Sequence, residues 1–398
     1  MSQAQTISAA VQVDSRPLVS TSAEAISIPW TIWLMVAGIT LILVGGTWDF
    51  AWHMSIGRDT FWIPPHILSQ AGGILVGIAG AYMILSTTLA RVSPARDTSV
   101  QVLGFHAPVG AFIALWGSAA MVAAAPFDNW WHNAYGLDVT VVTPPHMLLC
   151  LGAFATQIGA MTWMVSIMNR SADALRGRLA WLLLIVGSMG VGELSTIVIE
   201  PTLLRNMHTA SCYLAVALFI PIWLIACGWS SAHKWGCTIV ASTYMAVGLA
   251  AEWLLPLVPA QPKLGPVYHN VTHLIPMRFP LVLIVPALVA DLLLRRLEQR
   301  SSWIKAVWVG TAFVLSFIAV QWPFATFLML PLSRNWIFGT AYFAYVDPAG
   351  FLYDPYQFTA LEKTPGAFLL TLAGAFVAAV VTTRLGLAWG DWMRRVRR

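Results

Sequence analysis

Residues 30–53 read WTIWLMVAGITLILVGGTWDFAWH, an apolar run that carries no charge before Asp49. A stretch of about 20 apolar residues is long enough to cross the hydrocarbon core of a bilayer as a helix. The whole chain is 58% hydrophobic and only 10% charged, whereas soluble domains carry about 25% charged residues. This composition excludes a soluble enzyme, a disordered chain and a disulfide-rich secreted module. The small net charge of +5 gives no indication of nucleic-acid binding.

Apolar runs of similar length recur and predict an all-α, polytopic integral membrane protein with about ten transmembrane helices. When the spans alternate, most Lys and Arg residues fall on the side of the N-terminus, which places both termini in the cytoplasm. We expect three regions. A polar cytoplasmic tail at 1–28 is followed by two regions in the lipid bilayer, which are duplicated metal-binding helical hairpins at 29–170 and an additional transmembrane bundle at 171–398. The predicted spans are residues 30–53, 66–90, 104–126, 146–168, 179–199, 207–228, 236–257, 279–295, 305–331 and 366–389.

Two segments at the outer ends of the first four spans match each other in the order and spacing of their polar residues. Each has an acid and a histidine four residues apart, then a glycine and a second acid, then Pro-Pro-His. Two spans separate the copies, so both hairpins share one orientation and form a parallel repeat. The first copy contains Asp49, His53, Gly57, Asp59 and Pro64-Pro65-His66, and the second contains Asp128, His132, Gly136, Asp138 and Pro144-Pro145-His146.

The spacing within each copy suits a metal ion. Asp49 and His53 are one helical turn apart and share a helix face, and Pro64-Pro65 predicts that the next helix starts just before His66. Each hairpin therefore offers one carboxylate and two imidazoles to a common point, a set that suits copper, iron or zinc and leaves a coordination position open. The predicted ligands are Asp49, His53, His66, Asp128, His132 and His146. Asp59 and Asp138 are predicted to orient a ligating histidine or to cap the loops, and Arg58 is predicted to pair with Asp59 or Asp49.

Other ionisable or sulfur-containing side chains lie within or beside apolar runs and form weaker candidates. Cys150 follows His146 by one turn and would add a sulfur ligand, although a buried cysteine is more often part of a core. Acids near the turn between the fifth and sixth spans predict a proton path, a third metal site or a Glu–Arg pair. Two histidines four apart in a later loop predict a metal site or a solvated loop. These candidates are Cys150, Glu193, Glu200, His208, His269 and His273.

The first copy also resembles a known signature. Asp49-x-x-Trp52-His53, Arg58-Asp59-Thr60 and Pro64-x-His66 look like the copper motif of the C subunit of the particulate methane and ammonia monooxygenases. The second copy is similar to that family's second cluster in its spacing, with Asp128 where the family has Asn. The resemblance covers about residues 45–150.

This resemblance implies copper as the cofactor, activation of O₂, oxidation of a small-molecule substrate, and additional membrane or periplasmic subunits. It also implies the inner membrane of a bacterium, and the charge distribution described above places both sites toward the outer face. Whether the chain is itself an enzyme stays open at this point. The alternatives are a non-catalytic copper carrier, sensor or assembly factor, a transporter, and a haem-binding membrane protein, with zinc or iron as other possible metals.

The charge distribution generates a prediction about topology. In a variant without the native cysteines, Thr140→Cys should react with an impermeant thiol reagent added from outside, because the positive-inside rule places that loop there. Ala174→Cys should react only after the membrane is opened. Labelling of whole cells and of inverted vesicles measures both, and the reverse pattern would contradict the predicted orientation.

Overall fold

The computed structural model describes residues 27–57, 61–90, 96, 98–136, 142–263, 271–339 and 357–398. Within these ranges the chain forms ten α-helices and one short antiparallel hairpin. The helices are α1 (Trp30–Ser55), α2 (Pro64–Leu89), α3 (Val109–Tyr135), α4 (Pro144–Met168), α5 (Asp173–Ile197), α6 (Ala210–Ser230), α7 (Gly236–Leu254), α8 (Ile284–Arg296), α9 (Ser302–Leu328) and α10 (Pro365–Met393). The hairpin pairs β1 (Val100–Val102) with β2 (Phe105–Ala107). Single 3-10 turns lie at Glu200–Thr202, Leu204–Asn206, Leu255–Leu257, Pro331–Ser333 and Trp336–Phe338.

The helices confirm an all-α, polytopic membrane protein. In the described part of the chain, 9 helices are long and apolar enough to cross a membrane. They coincide with nine of the predicted spans, because uninterrupted apolar runs satisfy their backbone hydrogen bonds within a helix when water is absent. The polar chemistry is thereby confined largely to the ends of the helices.

The eighth predicted span, at 279–295, differs from this pattern. Its helix, α8, has 13 residues, which cover about 20 Å at 1.5 Å per residue, less than the roughly 30 Å of a hydrocarbon core. Pro276 and Pro280 lack the N–H group that helix propagation needs. The helix therefore begins only at Ile284, after an extended and largely buried stretch.

Neighbouring helices provide hydrogen-bond partners for this extended stretch. Ile275 N donates to Ser55 Oγ at 2.7 Å, and Leu281 N donates to the Tyr244 hydroxyl at 3.1 Å. Val282 N donates to Gln321 Oε1 at 3.0 Å. Irregular backbone is tolerated at membrane depth where protein groups satisfy it. These polar side chains on α1, α7 and α9 therefore explain how the stretch lies inside the bundle.

In each of the two hairpins, α1–α2 and α3–α4, a pair of glycines lies at the contact between the two helices. A Cβ atom at Gly38 would lie 2.6 Å from Gly72 O, and one at Gly117 would lie 2.7 Å from Gly152 O. Such contacts let two helix backbones approach closely, as small residues do in membrane proteins. The repeat relates Gly38 to Gly117 and Gly72 to Gly152. The duplication thus extends from the polar motif into the packing of the helices.

The hairpins lie side by side, with their motifs at the same end. Ser118 Oγ of α3 donates to Gly73 O of α2 at 2.7 Å. Ile42, Met121 and Ala153 form one apolar cluster from three helices. Ile42 and Met121 occupy equivalent positions in the repeat, two turns before Asp49 and Asp128 respectively. The two motifs therefore lie at the same depth in adjacent hairpins, and this apolar cluster packs between the hairpins on the side of the bundle interior.

A single large core cluster joins the hairpins to the remaining helices. It includes Ile32 and Met35 of α1 and extends to Leu387 and Met393 of α10. Of the predicted tail at 1–28, residues 1–26 lie outside the described residues.

The glycine pairs generate a prediction about stability. Gly38→Ala should lower the free energy of unfolding by about 1–3 kcal/mol, since its Cβ would overlap Gly72 O and Val76. Gly46→Ala in the same helix is the matched control, because a Cβ there meets nothing within 4 Å. Alanine gains up to about 1 kcal/mol of helix propensity over glycine. Reversible unfolding in mixed micelles measures the free energy of unfolding of both variants. If Gly38→Ala were as stable as Gly46→Ala, the close approach of α1 and α2 would be contradicted.

Candidate metal centres

The two helices that carry the Asp-x-x-x-His motifs end in the same way. A glycine with positive φ follows each helix, Gly57 at 108° after α1 and Gly136 at 89° after α3. Non-glycine residues rarely adopt this conformation, and glycine terminates many helices for that reason. The ending fixes His53 and His132 in the last turn of their helices. The glycine of each repeated motif therefore has a structural purpose next to a predicted ligand.

The returning helices start as the sequence predicts. Pro64-Pro65 and Pro144-Pro145 are the first two residues of α2 and α4. Proline is tolerated there because the first helical N–H groups have no partner within the helix. His66 and His146 follow directly and face the ends of α1 and α3.

The first triad converges on one carboxylate oxygen. Asp49 Oδ1 lies 3.3 Å from His53 Nε2 and 3.0 Å from His66 Nε2. The two imidazole rings are 5.8 Å apart between centroids. One potential ligand atom from each of the three residues lies within 4.8 Å of the others. The side chains of Asp49, His53 and His66 therefore lie together around one point.

The second triad repeats this arrangement with slightly longer distances. Asp128 Oδ1 lies 3.5 Å from both His132 Nε2 and His146 Nε2. The ring centroids are 6.5 Å apart, and the three potential ligand atoms again lie within 4.8 Å of one another. Between them, the two triads account for every group of three or more potential ligands in the described part of the chain.

Hydrogen bonds to the backbone decide which ring nitrogen faces the carboxylate. His66 Nδ1 lies 3.0 Å from Phe61 O, and His132 Nδ1 lies 3.1 Å from Gly136 O. A carbonyl oxygen only accepts, so Nδ1 carries the proton in both rings. In the neutral imidazole Nε2 is then a lone-pair donor that points toward Asp49 or Asp128. A metal-binding histidine is commonly oriented through its other nitrogen in this way.

The triads fit a metal ion by distance and by charge. Ligands about 2.0–2.2 Å from a tetrahedral ion lie roughly 3.3–3.6 Å from each other, close to the carboxylate–imidazole distances of both triads. Asp49 Oδ1 and Asp128 Oδ1 are buried and accept no hydrogen bond among the described residues. A carboxylate oxygen and an imidazole lone pair so close together repel each other unless a metal ion or a proton lies between them. Each triad is therefore suited to hold a cation.

Aromatic side chains surround this end of the bundle. Trp62, Trp130 and Tyr135 are all exposed, with Trp62 at 77%. Trp48 and Trp52 pack edge to face below His53. Tryptophan and tyrosine are enriched where a membrane meets water. The triads thus lie near a membrane–water boundary, and their side chains are about 14–32% exposed.

The weaker candidates do not join either triad. His208 stacks between Trp322 and Phe358, at 4.1 and 3.6 Å between ring centroids. Burial lowers the pKa of His208, while its contact with Trp322 O acts in the opposite direction. These features are typical of a packed, neutral histidine.

The other candidates have separate surroundings. Glu200 is exposed at the start of a 3-10 turn, and His273 Nδ1 lies 2.9 Å from Thr272 Oγ1. Cys150 is partly buried one turn below His146 but outside the group of potential ligands. The predicted residues Arg58, Asp59, Asp138 and His269 lie outside the described residues.

Sequence reasoning missed two kinds of contact. Phe61 and Gly136 orient His66 and His132 through backbone carbonyls, which no side-chain pattern can indicate. Gln157 donates a hydrogen bond to Glu193 from the neighbouring helix. Its only sequence signal is an amide within an apolar run.

Comparisons with protein-family models, with curated proteins and with solved structures find no match to this chain. The helices and the triads nevertheless fit a membrane protein with sites for metal ions. The membrane assignment depends on the long apolar helices, and the metal sites depend on the geometry of the side chains.

The geometry predicts how much metal each variant binds. Elemental analysis of purified protein should find one ion fewer per chain in His53→Ala and in His132→Ala than in the parent, and none in the double variant. Removal of one imidazole leaves two ligands, too few for a stable site. His106→Ala is the matched control, since His106 contacts Ser99 near the β-hairpin. An unchanged metal content in the double variant would exclude both triads as the sites.

Proposed function

We propose that this chain is a copper-binding integral membrane protein that acts in the oxidation of a small substrate at the outer face of the membrane. The observation that carries the proposal is the presence of two adjacent triads, each with one carboxylate oxygen between two imidazole nitrogens. The repeated motif that builds them resembles the copper signature of the C subunit of membrane-bound methane and ammonia monooxygenases.

The ligand chemistry supports copper within a short list of metals. Imidazole suits copper, zinc, iron and nickel, and two histidines with one carboxylate leave coordination positions open. Among these ions, copper binds such nitrogen and oxygen ligands most strongly in general. Bound copper would supply one-electron chemistry with O₂. Zinc would bind the same ligands but has no redox chemistry.

The residues of the chain would hold and shield such an ion. Asp49 and Asp128 supply the negative charge, and the backbone carbonyls of Phe61 and Gly136 keep the Nε2 atoms of His66 and His132 directed at it. Below both centres, Ile42, Met121 and Ala153 form a buried apolar cluster between the hairpins. Access is therefore restricted to the end of the bundle. We infer that electrons and substrate reach the centres from this end, with help from additional membrane or periplasmic subunits.

A non-catalytic copper carrier or assembly factor is the second candidate, and one observation favours it. The ligand side chains are partly exposed, with His146 at 32% and His53 at 29%. A centre that is open at one end exchanges its ion more readily than one closed on all sides. The same ligands would then deliver copper rather than use it.

Asp128→Asn separates these functions. The change keeps the shape of the side chain but removes its charge, so Cu(II) affinity at the second centre should fall at least about tenfold, as weakened metal sites commonly do. Chelator competition and electron paramagnetic resonance measure affinity and redox state. For a catalytic centre, O₂ consumption with an added reductant should change in the copper-loaded variant.

The outcomes are distinct. A carrier should show changed copper exchange and no O₂ consumption in the parent or the variant under any reductant. Asp49→Asn is the matched change in the first centre and should affect only that centre. Copper affinity and redox behaviour that match the parent in both variants would exclude the carboxylates as ligands and contradict the proposal.

A further inference from the structure

A carboxyl group lies within the helix bundle, apart from both triads. Glu193 belongs to α5, and Gln157 Nε2 of α4 donates a hydrogen bond to its Oε1 atom. Gln157 is fully buried. Acidic side chains are costly at such positions and are rarely present without a purpose. The pair is therefore a polar contact between two membrane-spanning helices.

The hydrogen bonding of this pair is incomplete if Glu193 is ionised. Glu193 Oε2 and Gln157 Oε1 are both buried, and neither has a hydrogen-bond partner among the described residues. Both atoms are acceptors only, because an ionised carboxylate and an amide oxygen have no proton to donate. Two acceptors cannot satisfy one another, and buried polar groups are nearly always satisfied.

One proton on Glu193 would provide a hydrogen bond for both of these oxygen atoms. When Glu193 is a neutral acid, its Oε2–H group can donate to Gln157 Oε1 while Gln157 Nε2 continues to donate to Glu193 Oε1. The two side chains then form a cyclic acid–amide pair with two hydrogen bonds. Burial in an apolar environment also favours the neutral acid over the ion.

The described residues around Glu193 offer no positive charge that would hold it ionised. The titratable side chains of α4 are Cys150, whose thiol carries no positive charge, and His146, which lies about 16 Å along the axis from Gln157. The helix α1 contributes the Leu43 side chain against Gly192 and the Thr40 hydroxyl against Met189. These groups are neutral.

In the described part of the chain, the other helices packed on α5 also bring no cation to the carboxyl group. Tyr244 of α7 and Arg278 both contact Ser195, through its hydroxyl and its carbonyl oxygen respectively. Ser195 is two residues beyond Glu193, which places it on the other side of the helix. The helix α6 presents Cys227 and Trp223 to Gly187, nearly two turns away.

We propose that Glu193 and Gln157 form a proton-binding site inside the membrane bundle, in which Glu193 is a neutral carboxylic acid that donates to Gln157. Gln157 lies on the same face of α4 as His146 and Cys150, about 16 Å along the axis from His146. The site is thus placed below the second triad. The repeat puts Gly77 at the position equivalent to Gln157, so the first hairpin has no amide there.

Infrared spectroscopy of the full-length protein tests this proposal at neutral pH. A protonated carboxylic acid has a C=O stretching band that is separate from the bands of carboxylates, and the band shifts in D₂O. Such a band should be present in the parent protein and lost in Glu193→Gln. Glu252→Gln is the matched control, because Glu252 is a buried acid on another helix, and the Glu193 band should remain in that variant.

A second variant covers the case in which Glu193→Gln does not fold. Gln157→Leu keeps Glu193 but removes the amide, so the acid band should shift in frequency as its hydrogen-bond acceptor is lost. Absence of any acid band that depends on Glu193 or Gln157 at neutral pH would show that Glu193 is ionised and would overturn the proposal. Neither triad enters the measurement, so its outcome is independent of whether the triads bind copper.

Discussion

A peptide group in a bilayer finds no water to bond with, and this constraint shapes the whole chain. The long apolar runs satisfy it within themselves as helices. The buried stretch before α8 satisfies it by using Ser55, Tyr244 and Gln321 as partners. Under the same constraint, ionisable side chains collect at helix ends, where a turn and nearby water reduce the cost of their charge. The two triads occupy such positions.

The repeat brings the triads together through packing rather than through the ligands themselves. Gly38 with Gly72, and Gly117 with Gly152, let the helices of each hairpin approach closely. Because the glycines are equivalent in the repeat, both hairpins present their Asp and His residues at the same height. The ligand geometry therefore depends on contacts about three turns away, between backbones that carry no polar side chain.

The sequence was sufficient for the features that depend on local chemistry. Uninterrupted apolar runs gave the long helices, Pro-Pro gave the starts of α2 and α4, and four-residue spacing gave the shared face of Asp49 and His53. The eighth span was misjudged because hydropathy does not register the loss of N–H groups at Pro276 and Pro280. The contact of Gln157 with Glu193 depends on how two helices meet, which no spacing along one helix reveals.

The two centres are equivalent in sequence but differ in their support. In the first, a backbone carbonyl holds His66, which starts the returning helix, while His53 Nδ1 is buried and has no hydrogen-bond partner among the described residues. In the second, the carbonyl of Gly136 holds His132, at the end of the outgoing helix. The second centre also has longer distances between its carboxylate and its imidazoles, and Cys150 and Gln157 lie along α4 below it. Among the described residues, a backbone carbonyl fixes the ring at the end of the outgoing helix only in the second centre. Along the returning helix, Cys150 and Gln157 occupy the positions that Gln70 and Gly77 occupy in the first hairpin. Duplication has therefore produced two sites with the same ligands and distinct environments.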